Sequence, residues 1–379
     1  MHKLRRESNY IKHPIRLIIM VKTISTLGSH SALDVCDGAK AEGFETIVVT
    51  QKGRDRTYSE HYRTRERDGE EIGIVDQTID LDKFSQICND KNQKKLENSV
   101  FVPNRSFAVY VGYDKIEKDF QVPVFGNKYL LRAEERNADK NQYYLLEKAG
   151  IRIPKTIKDP KKIDRMCIVK VNEAVRTYER AFFLASDYEE FKSKSEKLLE
   201  EGKINEEGLK GAKIEEYIVG AYFNLNFFYS KIHNELELLG IDMRRQTNLD
   251  GYLRIPADEQ IEVLKRKRPS MIEIGHVACT LRESLLEHAF EVGGKFVESV
   301  NKNYKNGLMG PFALQGAFVE EGKEEFVVFD VSFRMPGSPG TRFTPYSEYL
   351  HRKSISFGRR VAIEIKEAKK EKRLDDVTT

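Results

Sequence analysis

A strand–turn–helix–strand pattern near the start of the chain is the feature that most restricts its fold. Residues 21–26 alternate like a β-strand, a Gly-Ser-His-Ser turn follows at 28–31, and apolar residues then recur at helical spacing over 32–39. Gly43 suits the end of that helix, and residues 46–50 form a second apolar strand. Strands joined through a helix lie parallel in one sheet, so the pattern predicts a doubly wound α/β domain.

The pattern of the chain changes near residues 125–130. A charged helical stretch at 129–149 follows the change, and consecutive strand-like runs with few helices come after it, as in α+β proteins. We therefore predict an N-terminal α/β domain over 1–126 and a larger region over 127–379. The further expected elements are strands at 72–75, 100–102, 166–170, 181–184, 214–219, 221–230, 235–242, 313–318 and 325–333, and helices at 83–96, 187–200, 280–300 and 356–370.

Composition and charge argue against several functional classes. The 64 Lys and Arg residues nearly balance the 60 Asp and Glu residues, leaving a formal charge of +4. Proteins that bind nucleic acid usually carry a larger, segregated basic excess, so we expect no nucleic-acid partner. Four widely separated cysteines without metal or disulfide spacing are typical of a reduced, cytoplasmic protein. The apolar stretch at 15–21 is far shorter than the roughly 20 residues of a membrane span, so we also expect no membrane association.

The turn at 28–31 is the first candidate binding site. Ligands of open α/β sheets gather at the carboxyl ends of the strands, and the following helix N-terminus favours phosphate. Gly28 permits close backbone approach, while Ser29, His30 and Ser31 add side-chain donors. Taken alone, however, the turn fits an ordinary serine cap beside an incidental histidine better than it fits a binding site.

Two late strands carry the candidate metal ligands, Gln315 and Asp330. A carboxylate and an amide oxygen suit Mg²⁺, and a carboxylate within so apolar a strand requires a partner. An Asp at a strand end facing solvent explains the spacing equally well. The loop after the second strand adds Arg334 and Arg342, which are either phosphate ligands beside the metal or solvated surface arginines.

Two further segments are compatible with nucleotide binding. Lys170 ends an apolar strand, where it is either a phosphate ligand or a lysine in water. The run Glu-Glu-Tyr-Ile-Val-Gly at 215–220 is either a hinge strand whose backbone contacts adenine or a plain strand, and a plain strand is the default interpretation in isolation.

Taken in order, these segments resemble the ATP-grasp ligases, and most closely the archaeal PurP family of formate-dependent 5-formaminoimidazole-4-carboxamide ribonucleotide (FAICAR) synthetases. The resemblance runs from about residue 23 to residue 374. Its most specific segments are GSHSAL at 28–33, VYVGY at 109–113, VPVFGN at 122–127, IEEYIVG at 214–220, ELLGID at 237–242 and NLDG at 248–251.

The resemblance implies an ATP-grasp fold preceded by a substrate-binding domain. It also implies ligation of formate to 5-aminoimidazole-4-carboxamide ribonucleotide (AICAR) with ATP and Mg²⁺ or Mn²⁺, through formyl phosphate, in a homo-oligomer. The implied residues are His30, Ser106 and Asn248 for AICAR, Lys140, Lys170, Glu215, Glu216, Val219 and Gly220 for ATP, and Gln315 and Asp330 for the metal.

Departures from the family pattern, which include two prolines near the loop at 337–341, leave alternatives open. The loop at 171–180 contains no glycine where the family covers the phosphates with a glycine-rich loop, although Arg176 or Arg180 would supply charge. Asp330 stands where the family pattern has Glu, and residues 103–106 lack the expected small turn. The sequence is therefore also compatible with a paralogue that joins another acid and amine, or with a catalytically weak protein that binds a purine intermediate.

Overall fold

The computed structural model describes residues 21–135, 138–171, 182–267, 269–320 and 324–379. The strands are β1 Thr23–Leu27, β2 Glu45–Gln51, β3 Arg65–Arg67, β4 Glu70–Ile72, β5 Gln77–Leu81, β6 Ser99–Val102, β7 Thr156–Ile157, β8 Cys167–Lys170, β9 Phe182–Ala185, β10 Lys213–Glu216, β11 Ala221–Ser230, β12 Glu235–Thr247, β13 Met271–Cys279, β14 Gly310–Glu320 and β15 Glu324–Ser332. The α-helices are α1 Ala32–Ala41, α2 Asp90–Lys94, α3 Arg105–Val111, α4 Tyr113–Lys118, α5 Gln142–Lys148, α6 Tyr188–Glu200, α7 Glu206–Lys210, α8 Leu249–Leu253, α9 Ala257–Arg266, α10 Leu286–Asn303, α11 Tyr346–His351 and α12 Phe357–Lys370. Within the described ranges, no helix is long and apolar enough to cross a membrane.

The chain forms two compact units, and each is built from separate segments. Unit 1 holds the described residues of Met1–Ala149, Phe223–Gln315 and Asp330–Thr379, and unit 2 holds those of Gly150–Tyr222 and Gly316–Phe329. These units do not follow a single cut in the sequence. The predicted domains over 1–126 and 127–379 are each continuous in sequence, and the boundary between them stays a prediction.

The first sheet of unit 1 is parallel, with strand order β5–β2–β1–β6. Val100 and Val102 of β6 belong to one buried cluster, and the intervening Phe101 belongs to another. Side chains alternate between the two faces of a strand, so both faces of this sheet carry apolar core. The strand–helix–strand unit expected at the N-terminus is confirmed.

Helices α1 and α12 cross at a backbone-to-backbone contact in unit 1. A Cβ added at Gly358 would lie 1.9 Å from the carbonyl oxygen of Asp34, and one at Gly38 would lie 2.0 Å from the nitrogen of Arg359. Only glycine permits this approach. The contact buries Asp34, and burial raises the pKa of its carboxyl to about 6, although Ser356 and the Gly358 amide donate to it.

A five-stranded sheet has the order β13–β12–β11–β14–β15. The antiparallel register places Asn224 opposite Asp242 and Arg244 opposite His276. The edge strand β13 was not expected from the sequence. Unit 2 contains an antiparallel sheet of order β7–β10–β8–β9, whose core includes Cys167, Val169, Ala185, Phe191 and Ile214.

A buried charge cluster joins β12 to α12 in unit 1. The Arg360 guanidinium, 1% exposed, donates to Glu237 at 2.7 Å and pairs with Glu364 at 3.0 Å. It also lies 4.4 Å from the ring centre of Phe228. Burial raises the pKa of Glu237, but donation from His351 and Arg360 outweighs burial and holds that pKa below its usual value.

Three expected elements are wrong in detail. The helix expected at 83–96 is a 3₁₀ helix at Phe84–Cys88 followed by α2, and the intervening Asn89 has an extended backbone. Residues 72–75 are not a strand of the parallel sheet: β3 and β4 pair with each other, and β5 at Gln77–Leu81 joins the sheet instead. β5 has only alternate apolar residues, so it lacks a continuous apolar run. The stretch 129–149 is not one helix but a 3₁₀ turn at Lys128–Glu134 followed by α5, because Asn141 caps a new helix by accepting from the amides of Tyr143 and Tyr144.

Candidate functional site

Unit 1 contains a polar recess of about 350 Å³, including the space open to solvent at its mouth. Parallel pairing of β1 with β6 brings the turn at 28–31 and the start of α3 to the same sheet edge. Strands β11 to β15 and the loop after β15 supply the rest. The lining residues are His30, Arg105, Asn224, Asn226, Asp242, Arg244, His276, Ala313, Gln315, Ser332, Arg334, Pro336, Gly337 and Ser338.

The turn at 28–31 is held by contacts with neighbouring segments. The Gly28 amide donates to the Val49 carbonyl at 2.7 Å, and Asn104 Nδ2 donates to the carbonyl oxygens of Leu27 and Ser29 at 2.8 and 3.1 Å. Ser31 Oγ donates to the carbonyl of Pro336. The turn is thus fixed to both the neighbouring loop and the loop after β15.

His30 occupies a constrained position in this turn. Its φ is 52°, which is unusual for a residue with a side chain, and its ring lies against Gly337, where an added Cβ would be 2.3 Å from His30 Cε1. Desolvation, followed by the charges of Arg334 and Arg105, lowers the pKa of His30 to about 3. Part of the residue is exposed to solvent, and the surrounding cations disfavour a second proton on its ring. His30 is therefore neutral near pH 7.

Asp242 is a buried carboxylate beneath the recess, 1% exposed. Its Oδ2 accepts from Asn224 Nδ2 at 2.8 Å and lies 2.6 Å from His276 Nδ1, and its Oδ1 accepts from Asn226 Nδ2 at 2.6 Å. Burial raises the pKa of Asp242, but these donors, His276 foremost, outweigh burial and lower it. The carboxylate is thus ionised and enclosed by donors.

Arg334 and Gln315 are also held in place. Arg334 is 5% exposed, and its Nε lies 3.5 Å from Glu134 Oε1, which also accepts from the Phe333 amide at 2.8 Å. Gln315 Nε2 donates to Ser332 Oγ at 3.1 Å. With the amide nitrogen used in this way, the amide oxygen of Gln315 is the atom suited to a cation.

The recess brings together some of the residues expected from the sequence. His30, Gln315 and Arg334 line it, whereas Ser106, Asn248 and Asp330 lie outside the lining set. Ser106 is buried in α3 beside Arg105, and Asn248 accepts from the Ser270 amide at 2.8 Å. Asp330 lies on β15 two residues before Ser332, and so on the same face of that strand.

The residues expected to bind ATP are divided between the units. In unit 2, Lys170 Nζ lies 2.5 Å from Oε2 of the fully buried Glu215, and Lys213 Nζ lies 3.2 Å from its other oxygen. Also in unit 2, Glu216 accepts from the Lys155 amide at 3.3 Å, and Val219 is 82% exposed. Gly220 packs closely, since an added Cβ would lie 2.4 Å from the carbonyl oxygen of Phe318. In unit 1, Lys140 donates to the Asn303 carbonyl at 3.2 Å. The glycine-free loop at 171–180 falls, from residue 172 onward, outside the described residues.

Several lining residues were missed by the sequence reasoning, notably Arg105, Arg244, Asp242 and His276. The resemblance segment at 237–242 ends in Asp242 but gives that residue no role, and strand pairing, not a local motif, brings Asp242, Arg244 and His276 together. One signal was available: Asn224 and Asn226 alternate with apolar residues in β11, which predicts a polar row on one face of a core strand. Among the described residues, no group of three or more His, Cys, Asp or Glu side chains is arranged to hold a metal ion.

Comparison with known proteins places the chain in a family. The model of the family described as "Protein of unknown function (DUF1246)" matches residues 24–157. The model of the family described as "Domain of unknown function (DUF1297)" matches residues 190–379. The chain is 42% identical over 362 residues to the 5-formaminoimidazole-4-carboxamide-1-(beta)-D-ribofuranosyl 5'-monophosphate synthetase of Methanothermobacter thermautotrophicus, with 94% of each chain covered. It is 39% identical to the Methanopyrus kandleri protein of the same name, covering 94% of this chain and 95% of that one.

Solved structures agree with this placement. The IMP biosynthesis protein PurP from Thermococcus kodakaraensis matches with a TM-score of 0.70 and 30% identity, covering 94% of this chain and 100% of that one. N5-carboxyaminoimidazole synthetase from Staphylococcus aureus, at 14% identity and a TM-score of 0.53, shares the fold. The expected fold class, an ATP-grasp protein of α/β and α+β character with a doubly wound N-terminal part, is thereby confirmed, and the chain belongs to the PurP family of FAICAR synthetases.

Proposed function

We propose that this protein catalyses the ATP- and formate-dependent formylation of AICAR to FAICAR in purine biosynthesis. The observation that carries the proposal is the cationic recess of unit 1, in a chain 42% identical to a synthetase of this name. The reaction takes ATP, formate and AICAR and yields FAICAR, ADP and phosphate. Its reactants are small soluble molecules, in keeping with a cytoplasmic enzyme, and we extend the proposal to a homo-oligomer.

The charges in the recess suit a phosphorylated aminoimidazole. Arg105, Arg244 and Arg334 line it, and guanidinium groups bind phosphate oxygens in a bidentate manner. The charge of Asp242 is already satisfied by amide and imidazole donors, so it repels an anion less than a free carboxylate would. His30 is neutral and can donate or accept a hydrogen bond to the nucleotide without adding charge.

The chemistry requires an activated formate. A formate oxygen is a poor leaving group, so transfer of the γ-phosphoryl group of ATP to formate creates formyl phosphate, whose phosphate leaves readily. The AICAR amine then attacks the formyl carbon. We assign to Arg334 the neutralisation of the charge that develops on the phosphate oxygens, and its burial and its ion pair with Glu134 support that role. Exclusion of water preserves the acyl phosphate.

A divalent cation fits the residues proposed to hold it. Gln315 directs its amide nitrogen to Ser332, which leaves the oxygen as the ligand atom, and Asp330 shares the face of β15 on which Ser332 lies. Oxygen ligands of this kind suit Mg²⁺ or Mn²⁺. When bound, the ion would neutralise charge on the transferring phosphoryl group.

Within unit 2, the ATP site is proposed from Lys170, Glu215, Glu216, Val219 and Gly220. A role for Lys140 of unit 1 in binding ATP stays a prediction from the sequence resemblance. The buried pair of Lys170 and Glu215 supports this part of the proposal, because a buried lysine held by a carboxylate is a preorganised cation. The exposed Val219 offers apolar surface and free approach to an adenine ring.

Turnover with purified protein tests the proposal. ADP and FAICAR should form in equal amounts and only when ATP, Mg²⁺, formate and AICAR are all present. ADP formation that requires a different acid or amine would instead identify a paralogue. The absence of ADP with any acid, together with thermal stabilisation by AICAR, would identify a binding protein.

Thermal stabilisation by each ligand tests the assignment of the recess. A ligand that binds only the native state raises the melting temperature, and the rise is larger when the free ligand concentration is higher relative to Kd. The variant His30→Ala should lose the shift produced by AICAR and keep the shift produced by ATP. The matched control His61→Ala removes an exposed histidine outside the recess and should keep both shifts. Loss of neither shift in His30→Ala would show that the turn is not the AICAR site.

A further inference from the structure

A second histidine, His276, lines the recess together with a buried carboxylate. Its Nδ1 lies 2.6 Å from Asp242 Oδ2, and the two side chains are 15% and 1% exposed. The pair comes from neighbouring antiparallel strands, with His276 on β13 opposite Arg244 on β12. Neither residue belongs to a local sequence motif for catalysis.

The surroundings of Asp242 determine which ring nitrogen of His276 carries hydrogen. Asn224 and Asn226 each donate through Nδ2 to a different carboxylate oxygen, at 2.8 and 2.6 Å. The donors keep the pKa of Asp242 below its usual value, so the carboxylate is ionised and can only accept. Its short contact with Nδ1 therefore requires a hydrogen on Nδ1, and whenever the ring carries a single hydrogen the lone pair is on Nε2.

The reaction of the proposed function needs a proton acceptor. The amine of AICAR is conjugated with its ring and carboxamide, so its lone pair is a weak nucleophile. When it attacks a formyl carbon, the nitrogen gains positive charge and must lose a proton. General-base catalysis of such a step contributes roughly 10²- to 10⁴-fold in rate.

Most residues that line the recess cannot accept this proton. The arginines are permanently protonated, the serine hydroxyls are poor bases, and the Asp242 oxygens are occupied by donors. His30, with its pKa lowered to about 3, is too weak a base near pH 7. Among the described lining residues, His276 is left as the group with the right chemistry.

We propose that His276 Nε2 accepts the proton from the AICAR amine during formyl transfer, and that Asp242 is the positioning residue that orients His276. As the amine nitrogen bonds to the formyl carbon, the bond from that carbon to the phosphate oxygen breaks and its electron pair leaves with phosphate. The proton lost by nitrogen passes to Nε2 and then to released phosphate or solvent. This inference rests on the proposed function, and it deepens that function by assigning the base.

Separate assays of the two half-reactions test the assignment. The first half-reaction is formate activation, measured as ADP and formohydroxamate when hydroxylamine traps formyl phosphate and an AICAR analogue without the amine fills the site. Hydroxylamine is a strong nucleophile and needs no enzymic base. The second is complete formation of FAICAR from AICAR.

The variant His276→Gln keeps a donor for Asp242 and removes the basic nitrogen. We expect its kcat for FAICAR to fall by roughly 10²- to 10⁴-fold, with KM for AICAR and the trapped formohydroxamate near wild-type values. The variant Asp242→Asn should likewise lower kcat for FAICAR and leave the trapped formohydroxamate near the wild-type value, because asparagine does not force the hydrogen of His276 onto Nδ1. The control His233→Gln alters a histidine–carboxylate pair with Glu367, at 3.1 Å on the protein surface, and should leave both assays unchanged.

The outcomes separate this inference from the proposed function. A parallel fall in trapping and FAICAR formation in His276→Gln would overturn the assignment and indicate a structural role. Unchanged FAICAR formation would also overturn it. No ADP and no FAICAR with the wild-type protein would instead refute the proposed function, and the assignment of His276 with it.

Discussion

Replacing Gly337 by alanine should displace His30 and weaken AICAR binding. The added Cβ would lie 2.3 Å from His30 Cε1 and 2.6 Å from Nε2, whereas ordinary contact begins at 3.4 Å, so the ring must move by about 1 Å. The unusual φ of His30 restricts relief through the backbone, and the ring therefore has to rotate. A misplacement of about 1 Å can cost roughly 10²-fold, which corresponds to about 2.7 kcal/mol.

Isothermal titration of AICAR into Gly337→Ala would measure this effect as a Kd raised by about 10- to 100-fold. Gly340→Ala in the same loop is the matched control, because its Cβ would meet only Ala278 Cβ at 3.8 Å. That variant should bind AICAR like the wild type. Wild-type affinity in Gly337→Ala, with the fold intact by circular dichroism, would refute the role of His30 in holding the nucleotide.

Three further outcomes are expected. The pKa of Asp34 is raised from 3.8 to about 6 in the folded state, so ionisation of this carboxyl lowers the unfolding free energy by up to about 3 kcal/mol as the pH rises from about 4 to 7. In urea unfolding, the unfolding free energy of Asp34→Asn should therefore rise relative to that of the wild type across this pH range and not below it. Arg360→Ala removes the cation shared by two buried glutamates, of which Glu237 keeps only His351, and should lower the unfolding free energy by about 3–5 kcal/mol. Arg373→Ala at the exposed surface should change the unfolding free energy far less. Lys170→Met removes the cation proposed to bind the ATP phosphates and leaves Glu215 paired with Lys213 at the longer distance of 3.2 Å. Calorimetry should show the Kd for ATP raised by about 10²-fold or more and the Kd for AICAR unchanged.

The parts of the fold that sequence reasoning predicted well are those with local periodicity. The strand–turn–helix–strand unit around Gly28 and the final helix α12 have strong apolar patterns, and both are present close to the expected bounds. The missed strands β5 and β13 carry interrupted apolar patterns, so pairing with a neighbouring strand, rather than local preference, defines them. The long helix expected at 129–149 is divided because Asn141 caps a new helix within it.

The candidate site was predicted in part for the same reason. His30, Gln315 and Arg334 sit beside recognisable turns or strand ends, and all three line the recess. Asp242 and His276 are separated by more than thirty positions, with a short contact that exists only through the β12–β13 register. No spacing rule within the chain encodes that contact.

The sequence by itself determined the family, the class of fold and the location of the turn at 28–31, since each depends on residue order and local periodicity. Tertiary structure alone decided which charges meet. It enclosed the Asp242 carboxylate with amide donors, placed His30 against Gly337 among arginines, and set His276 on the recess wall. The physical reason is that protonation, tautomer and charge balance depend on burial and on neighbours across strands, which are distant in the chain.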